Sequence, residues 1–143
     1  MQTILVTGAT GVGKSRLLSR LASEHNLAVI DAFVQGRNTW VEPHTYARGV
    51  AIDHIGNLVD AKAIVAAAAE WCAKHSAKLW LCDMWRGMLE SQGVTIPHDA
   101  VELHLDRGVW AWPVTVAPGI RISAPVEKAL TIANGLVFGD RYV

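Results

Sequence analysis

A run of residues near the start, Gly8-Ala9-Thr10-Gly11-Val12-Gly13-Lys14-Ser15, constrains this chain more than any other part of it. It fits the pattern GxxxxGK[ST] and is preceded by the apolar run Ile4-Leu5-Val6. From Ser15 to Ala22, Leu17, Leu18, Leu21 and Ala22 fall along one side of a helix. A short, continuous apolar run suits a central parallel strand buried on both faces. Glycines let successive N–H groups turn inward, and the positive end of the following helix adds to their pull on an anion. Gly8 to Ser15 is therefore expected to hold phosphate oxygens, with Lys14 reaching the terminal phosphates and Ser15 offering its hydroxyl to magnesium. The spacing is not GxGxxG, which argues against a dinucleotide.

Further along, Leu27-Ala28-Val29-Ile30 ending at Asp31, Gly49 to Asp53, and Lys78 to Asp83 read as strands. A helix is expected from about Val59 to His75, where Ile64, Ala68, Trp71, Cys72 and His75 recur at helical spacing. Gln35 to Arg48 has no clean period and is expected to be a loop or short helix at the functional edge. A short helix is expected over Trp85 to Ser91, a half-exposed strand over Val101 to Leu105, and a strand over Val109 to Val116 despite Pro113. Pro118-Gly119 marks a turn, and Asn134-Gly135 between apolar triplets is a hairpin signal. These elements predict one α/β domain over residues 1–143, in three layers around a mainly parallel sheet. Residues 117–143 are expected to add a small antiparallel β-hairpin.

Strand, glycine turn, lysine, serine and helix in this order resemble the P-loop NTPase superfamily, over the stretch that ends near Asp83. The resemblance implies ATP held with Mg2+ by Gly8, Ala9, Thr10, Gly11, Val12, Gly13, Lys14 and Ser15. It also implies a Walker B aspartate that closes an apolar strand and holds the metal through water, with Ser15 on the same ion, and Asp53, after Val50-Ala51-Ile52, matches that position. The spacing is similar to the branch with an additional strand between the loop strand and the Walker B strand, which includes many ring-forming ATPases. In that branch a glutamate commonly follows the aspartate and polarises the attacking water; here the residue is His54. Imidazole suits acid–base work near neutrality, so His54 is either the base or a structural residue in an enzyme that hydrolyses slowly or borrows a partner's residue. Lys14, Asp53 and His54 are the expected catalytic set.

Asp31 and Asp83 also close strands, which aims them at the crevice of an open sheet. Asp31 is read as aligning an acceptor, positioning metal or water, or capping locally; Asp83 as a sensor of the terminal phosphate or a cap. Arg37, Arg48, Arg86 and Arg107 are the candidates for an arginine finger offered to a neighbouring subunit. Trp110 and Trp112 would share one face of a strand and suit a core or a protein interface.

Lys plus Arg and Asp plus Glu each number 13, which excludes a uniformly basic nucleic-acid binder while leaving a local patch open. Cys72 and Cys82 form no CxxC pair, and the histidines form no HExxH, so no zinc site is expected. The apolar stretch Ile64 to Ala69 falls far short of the roughly 20 residues that span a bilayer. With no secretory signal at the start, a cytoplasmic protein is expected.

The leading expectation is Mg-dependent ATP hydrolysis that drives a conformational or mechanical step, in an oligomeric DNA-translocating or packaging assembly. The alternatives are a kinase for a nucleotide or other small acceptor, and a non-catalytic module whose protein partner is recognised when nucleotide is bound.

Overall fold

Residues 2–35, 40–108 and 116–137 are described in a computed structural model. β1 (Thr3–Thr7) is buried along its whole length, as an unbroken apolar run requires of a strand covered on both faces. β2 (Leu27–Asp31), β3 (Gly49–Asp53), β4 (Lys78–Cys82), β5 (Val101–Leu105) and β6 (Arg121–Ala124) join it in one sheet. The order in this six-stranded sheet is β2-β3-β4-β1-β5-β6, and each neighbouring pair is parallel. β4 thus lies between β1 and β3.

The helices, in chain order, are α1 (Lys14–His25), α2 (Ala32–Gln35), α3 (Ala61–Lys74), α4 (Arg86–Ser91) and α5 (Val126–Leu136), with a 3-10 turn at Ile55–Asn57. Side chains alternate along a strand, so β1 serves two cores. Ile4 and Val6 pack with Leu17 and Leu21 of α1 and with Ile132 and Leu136 of α5. Leu5 packs on the opposite face with Ile64 and Ala68 of α3 and Leu89 of α4. The result is helix, sheet, helix. No helix among the described residues is long and apolar enough to cross a membrane.

The C-terminal expectation is overturned. Arg121–Ala124 pairs parallel with β5, and Asn134-Gly135 lies inside α5 rather than in a hairpin turn. Ala129, Ile132, Ala133 and Leu136 repeat at helical spacing and are all buried against the sheet and α1. That burial outweighs both the local turn preference and the roughly 1 kcal/mol by which glycine disfavours a helix interior. Asn134 contributes a tertiary contact as well: its Oδ1 lies 2.8 Å from His25 Nε2. Among the described residues the antiparallel addition does not occur.

β5 also departs from its expected half exposure, because Glu102 is buried. Its Oε2 accepts from Thr7 Oγ1 at 2.8 Å and from Arg121 Nε at 3.0 Å, which compensates the buried carboxylate. α3 starts at Ala61 because Asp60 caps it, accepting from the Ala63 N–H at 3.2 Å. Of the strand expected over Val109 to Val116, residues 109–115, with Trp110 and Trp112, lie outside the described residues, as does Arg37.

Candidate functional site

Parallel pairing lines up the C-terminal ends of four strands. Asp31 is in register with Asp53, and Val6 with Cys82, so the turns after β1, β2, β3 and β4 open on the same edge of the sheet. In open α/β sheets that edge is where ligands bind.

The turn after β1 is held by its glycines. Gly8, Gly11 and Gly13 have φ of +143°, +83° and +113°, a region that L side chains rarely adopt. A Cβ on Gly8 would also come within 2.8 Å of the Leu105 carbonyl oxygen. The Gly8 N–H donates to the Met84 carbonyl at 3.0 Å, which ties the turn to the segment after β4. Gly13 is the N-cap of α1, with no side-chain cap and no acidic residue in the first turn, so the helix start keeps its partial positive charge.

Lys14 curls back over the turn, its Nζ donating to the carbonyls of Gly8 at 2.6 Å and Ala9 at 2.9 Å. Ser15 points the other way, and its Oγ donates to Asp53 Oδ2 at 2.7 Å. The hydroxyl on the first turn of α1 and the carboxylate at the end of β3 are therefore in direct contact. Asp53 is buried, and its Oδ1 accepts the backbone N–H of His54 at 2.9 Å.

His54 sits at φ +54°, in the left-handed region, and starts the 3-10 turn. Its Nδ1 is 2.8 Å from Asp31 Oδ1. A carboxylate only accepts, which assigns the hydrogen to Nδ1 and leaves the lone pair of the neutral ring on Nε2. Phe33 lies against the same ring, with centroids 5.2 Å apart. Asp31, Asp53 and His54 bring ligand atoms within 4.8 Å of one another, the one such group among the described residues.

Cys82, at the end of β4, is fully buried behind Asp53. Burial pushes its thiol well above the ordinary range, and the negative charge of Asp53 pushes it the same way. The sulfur therefore stays protonated beside the carboxylate. Asp83 has each oxygen occupied, Oδ1 by the Met84 N–H and Oδ2 by the Gly56 N–H, both at 2.7 Å, which is capping geometry.

These groups border a cavity of roughly 710 Å³. It is lined by Thr10, Gly11, Gly13, Lys14 and Ser15 of the turn and α1, by Asp53 and His54 at the end of β3, by Asp83 and Met84 after β4, and by Gly56, Asn57, Met88 and Gln92 of the 3-10 turn and α4. Gly8, Ala9 and Val12 belong to the turn without lining the cavity, and Val12 packs on the core beneath it. The structure thus brings Gly8 to Ser15, Asp53 and His54 into one place and adds Asp31. Of the candidate arginines, Arg107 reaches the turn, its Nη2 donating to the Gly11 carbonyl at 2.7 Å, whereas Arg86 pairs with Glu90 on α4. The methionine and amide wall was not visible in the sequence. Its one signal is that Met84 lies two residues past the end of β4, on the edge of the sheet that faces the crevice.

No protein-family model matches the chain, and no curated protein matches it significantly.

Proposed function

We propose that this chain binds a nucleoside triphosphate, ATP with Mg2+, in a P-loop formed by Gly8 to Ser15, and hydrolyses it to drive a conformational step. The observation that carries this reading is the 2.7 Å contact between Ser15 Oγ and Asp53 Oδ2, beside Lys14 and the uncapped start of α1. Mg2+ takes oxygen ligands, and a serine hydroxyl paired with a buried carboxylate is a fitting donor set for it. Ser15 and Asp53 would hold the ion, which when bound neutralises charge on the terminal phosphates. The position of β4 between β1 and β3 favours the branch with an additional strand.

The chain's own residues account for the remaining work. Backbone N–H groups of the turn and the Lys14 ammonium bind and orient the phosphates. Asp31 fixes the His54 ring, so that Nε2 is available to take a proton from an attacking water. Arg107, already on the turn at Gly11, adds positive charge from the same chain. A second reading, transfer of the phosphoryl group to a small acceptor, is favoured by the extension of the cavity beyond Asp53 to α4.

The test is a turnover assay following free phosphate with wild type, Lys14→Ala and Asp53→Ala. Loss of at least about 100-fold in rate is expected for each variant, the scale of removing a transition-state contact. Full affinity and full turnover in Lys14→Ala would sink the assignment.

A further inference from the structure

We propose that the end of the cavity remote from the glycine turn is a subsite for an uncharged heterocycle of about nucleoside size; this rests on the phosphate-binding reading of the turn. A cavity of roughly 710 Å³ is in the range that encloses whole small molecules, and a phosphate chain held by the turn uses one end of it. The remote end is built from the 3-10 turn and α4, and its chemistry differs sharply from the turn.

Among the described residues lining the cavity, Lys14 and Arg16 belong to the turn and α1, and the charged residue bordering the part formed by the 3-10 turn and α4 is the carboxylate Asp83, which accepts the Gly56 N–H. Asp83 already accepts two backbone N–H groups, so it offers an incoming phosphate monoester no donor and an unfavourable charge. An uncharged occupant is thereby selected over a phosphorylated one.

What remains is suited to a flat, hydrogen-bonding ring. Met88 presents a thioether, which is polarizable and adapts to an aromatic face. Gln92 donates one N–H to the Gly56 carbonyl at 3.3 Å, and its amide keeps a carbonyl oxygen and a second N–H, the complement of a base edge. Asn57 supplies a second amide. Gly56 keeps this wall open: a Cβ there would lie 3.2 Å from Asp83 Oδ2 and 3.5 Å from Met88 Sδ.

The heterocycle has two sources, the base of the bound nucleotide itself or a separate molecule held beside the terminal phosphate. Calorimetry with Mg2+ separates them, using tripolyphosphate, ATP and GTP, and the nucleosides adenosine, guanosine, cytidine and thymidine in the presence of a non-hydrolysable ATP analogue. Met88→Trp fills the remote end, and Gln92→Met removes its amide with little change in bulk. If the base occupies the subsite, the advantage of ATP or GTP over tripolyphosphate shrinks about tenfold in both variants, the scale of pocket discrimination. If a separate molecule does, a nucleoside binds alongside the analogue and loses about tenfold in both variants relative to tripolyphosphate on the same protein. The inference is overturned if wild type binds nucleotides no better than tripolyphosphate and binds no nucleoside, if neither variant alters these ratios, or if a nucleoside 5′-monophosphate binds beside the analogue more tightly than its nucleoside. Failure of wild type to bind tripolyphosphate would instead count against the phosphate site, so the two failures are told apart.

Discussion

Asp31 is the residue whose role is most open to direct measurement. Its Oδ1 holds His54 Nδ1 at 2.8 Å and also accepts the Phe33 N–H at 3.0 Å, so it positions the ring without standing in the turn. Asp31→Asn is expected to lower kcat by about 10- to 100-fold, within the range of general acid–base catalysis, while KM for ATP changes far less. Equal losses in both constants would reduce Asp31 to a structural cap. The thiols give a second prediction. Cys72 is buried and its thiol is pushed up to about 12 from an ordinary 9.0, mainly by desolvation. Cys82 shifts in the same direction. Since the unfolded thiols ionise first as pH rises, their contribution to stability is complete below about pH 9 and is lost between there and pH 12. Denaturant midpoints should therefore fall across that window, and less so in Cys72→Ala after allowance for its lost packing. Thiol reagents at pH 8 should label neither cysteine until the chain unfolds.

At the scale of elements, close backbone approaches set tolerances that the residue types alone do not advertise. Gly49 opens β3, and a Cβ there would come within 2.7 Å of the Lys78 carbonyl oxygen on β4. Gly49→Ala is expected to destabilise by about 1–3 kcal/mol, as overpacking does, and a thermal or urea melt unchanged from wild type would refute the clash. Gly8 combines a similar contact with φ +143°, so Gly8→Ala should distort the turn and weaken nucleotide binding more than Gly11→Ala, whose Cβ would meet nothing within 4 Å. The Glu102 cluster ties β1, β5 and β6 together. Thr7 Oγ1 gives its single hydrogen to Glu102, so His104 Nδ1, 2.9 Å away, acts as donor to the same oxygen. This bonding explains how a carboxylate sits in the interior of a strand next to the glycine turn.

Considered whole, the molecule gathers its chemistry at one edge of a parallel sheet, and exposed apolar side chains adjoin that edge. Phe33 is 72 % exposed and touches His54, Trp85 is 52 % exposed at the start of α4, and Val59 is 81 % exposed just past the 3-10 turn. Exposed apolar groups beside the proposed site suit a partner surface. The assembled-ATPase reading therefore predicts that specific activity falls on dilution, measured as phosphate release per subunit across a hundredfold concentration series, by an estimated severalfold, about the span over which mass action separates weak oligomers. A specific activity independent of concentration would assign complete turnover to a single chain.

The glycine turn, its flanking strand and helix, and the strand ends at Asp31 and Asp53 were legible in the sequence, as was the fourth strand to within one residue of its end at Cys82, because they depend on local patterns: an unbroken apolar run, a glycine at each positive φ of the turn, and a helical stripe of leucines. Asp53 and His54 could be singled out as the close of a strand. That Asp31 reaches across to His54, that Arg107 bends to Gly11, and that Met88 and Gln92 face the same space as Lys14 could not, since each depends on which strands are neighbours and on their register. Residues 121–136 make the same point in reverse. Asn-Gly prefers a turn when its own neighbourhood decides, yet a strip of Ala129, Ile132, Ala133 and Leu136 can be buried in full by a helix laid on α1 and the sheet, and that area outweighs a preference worth about 1 kcal/mol.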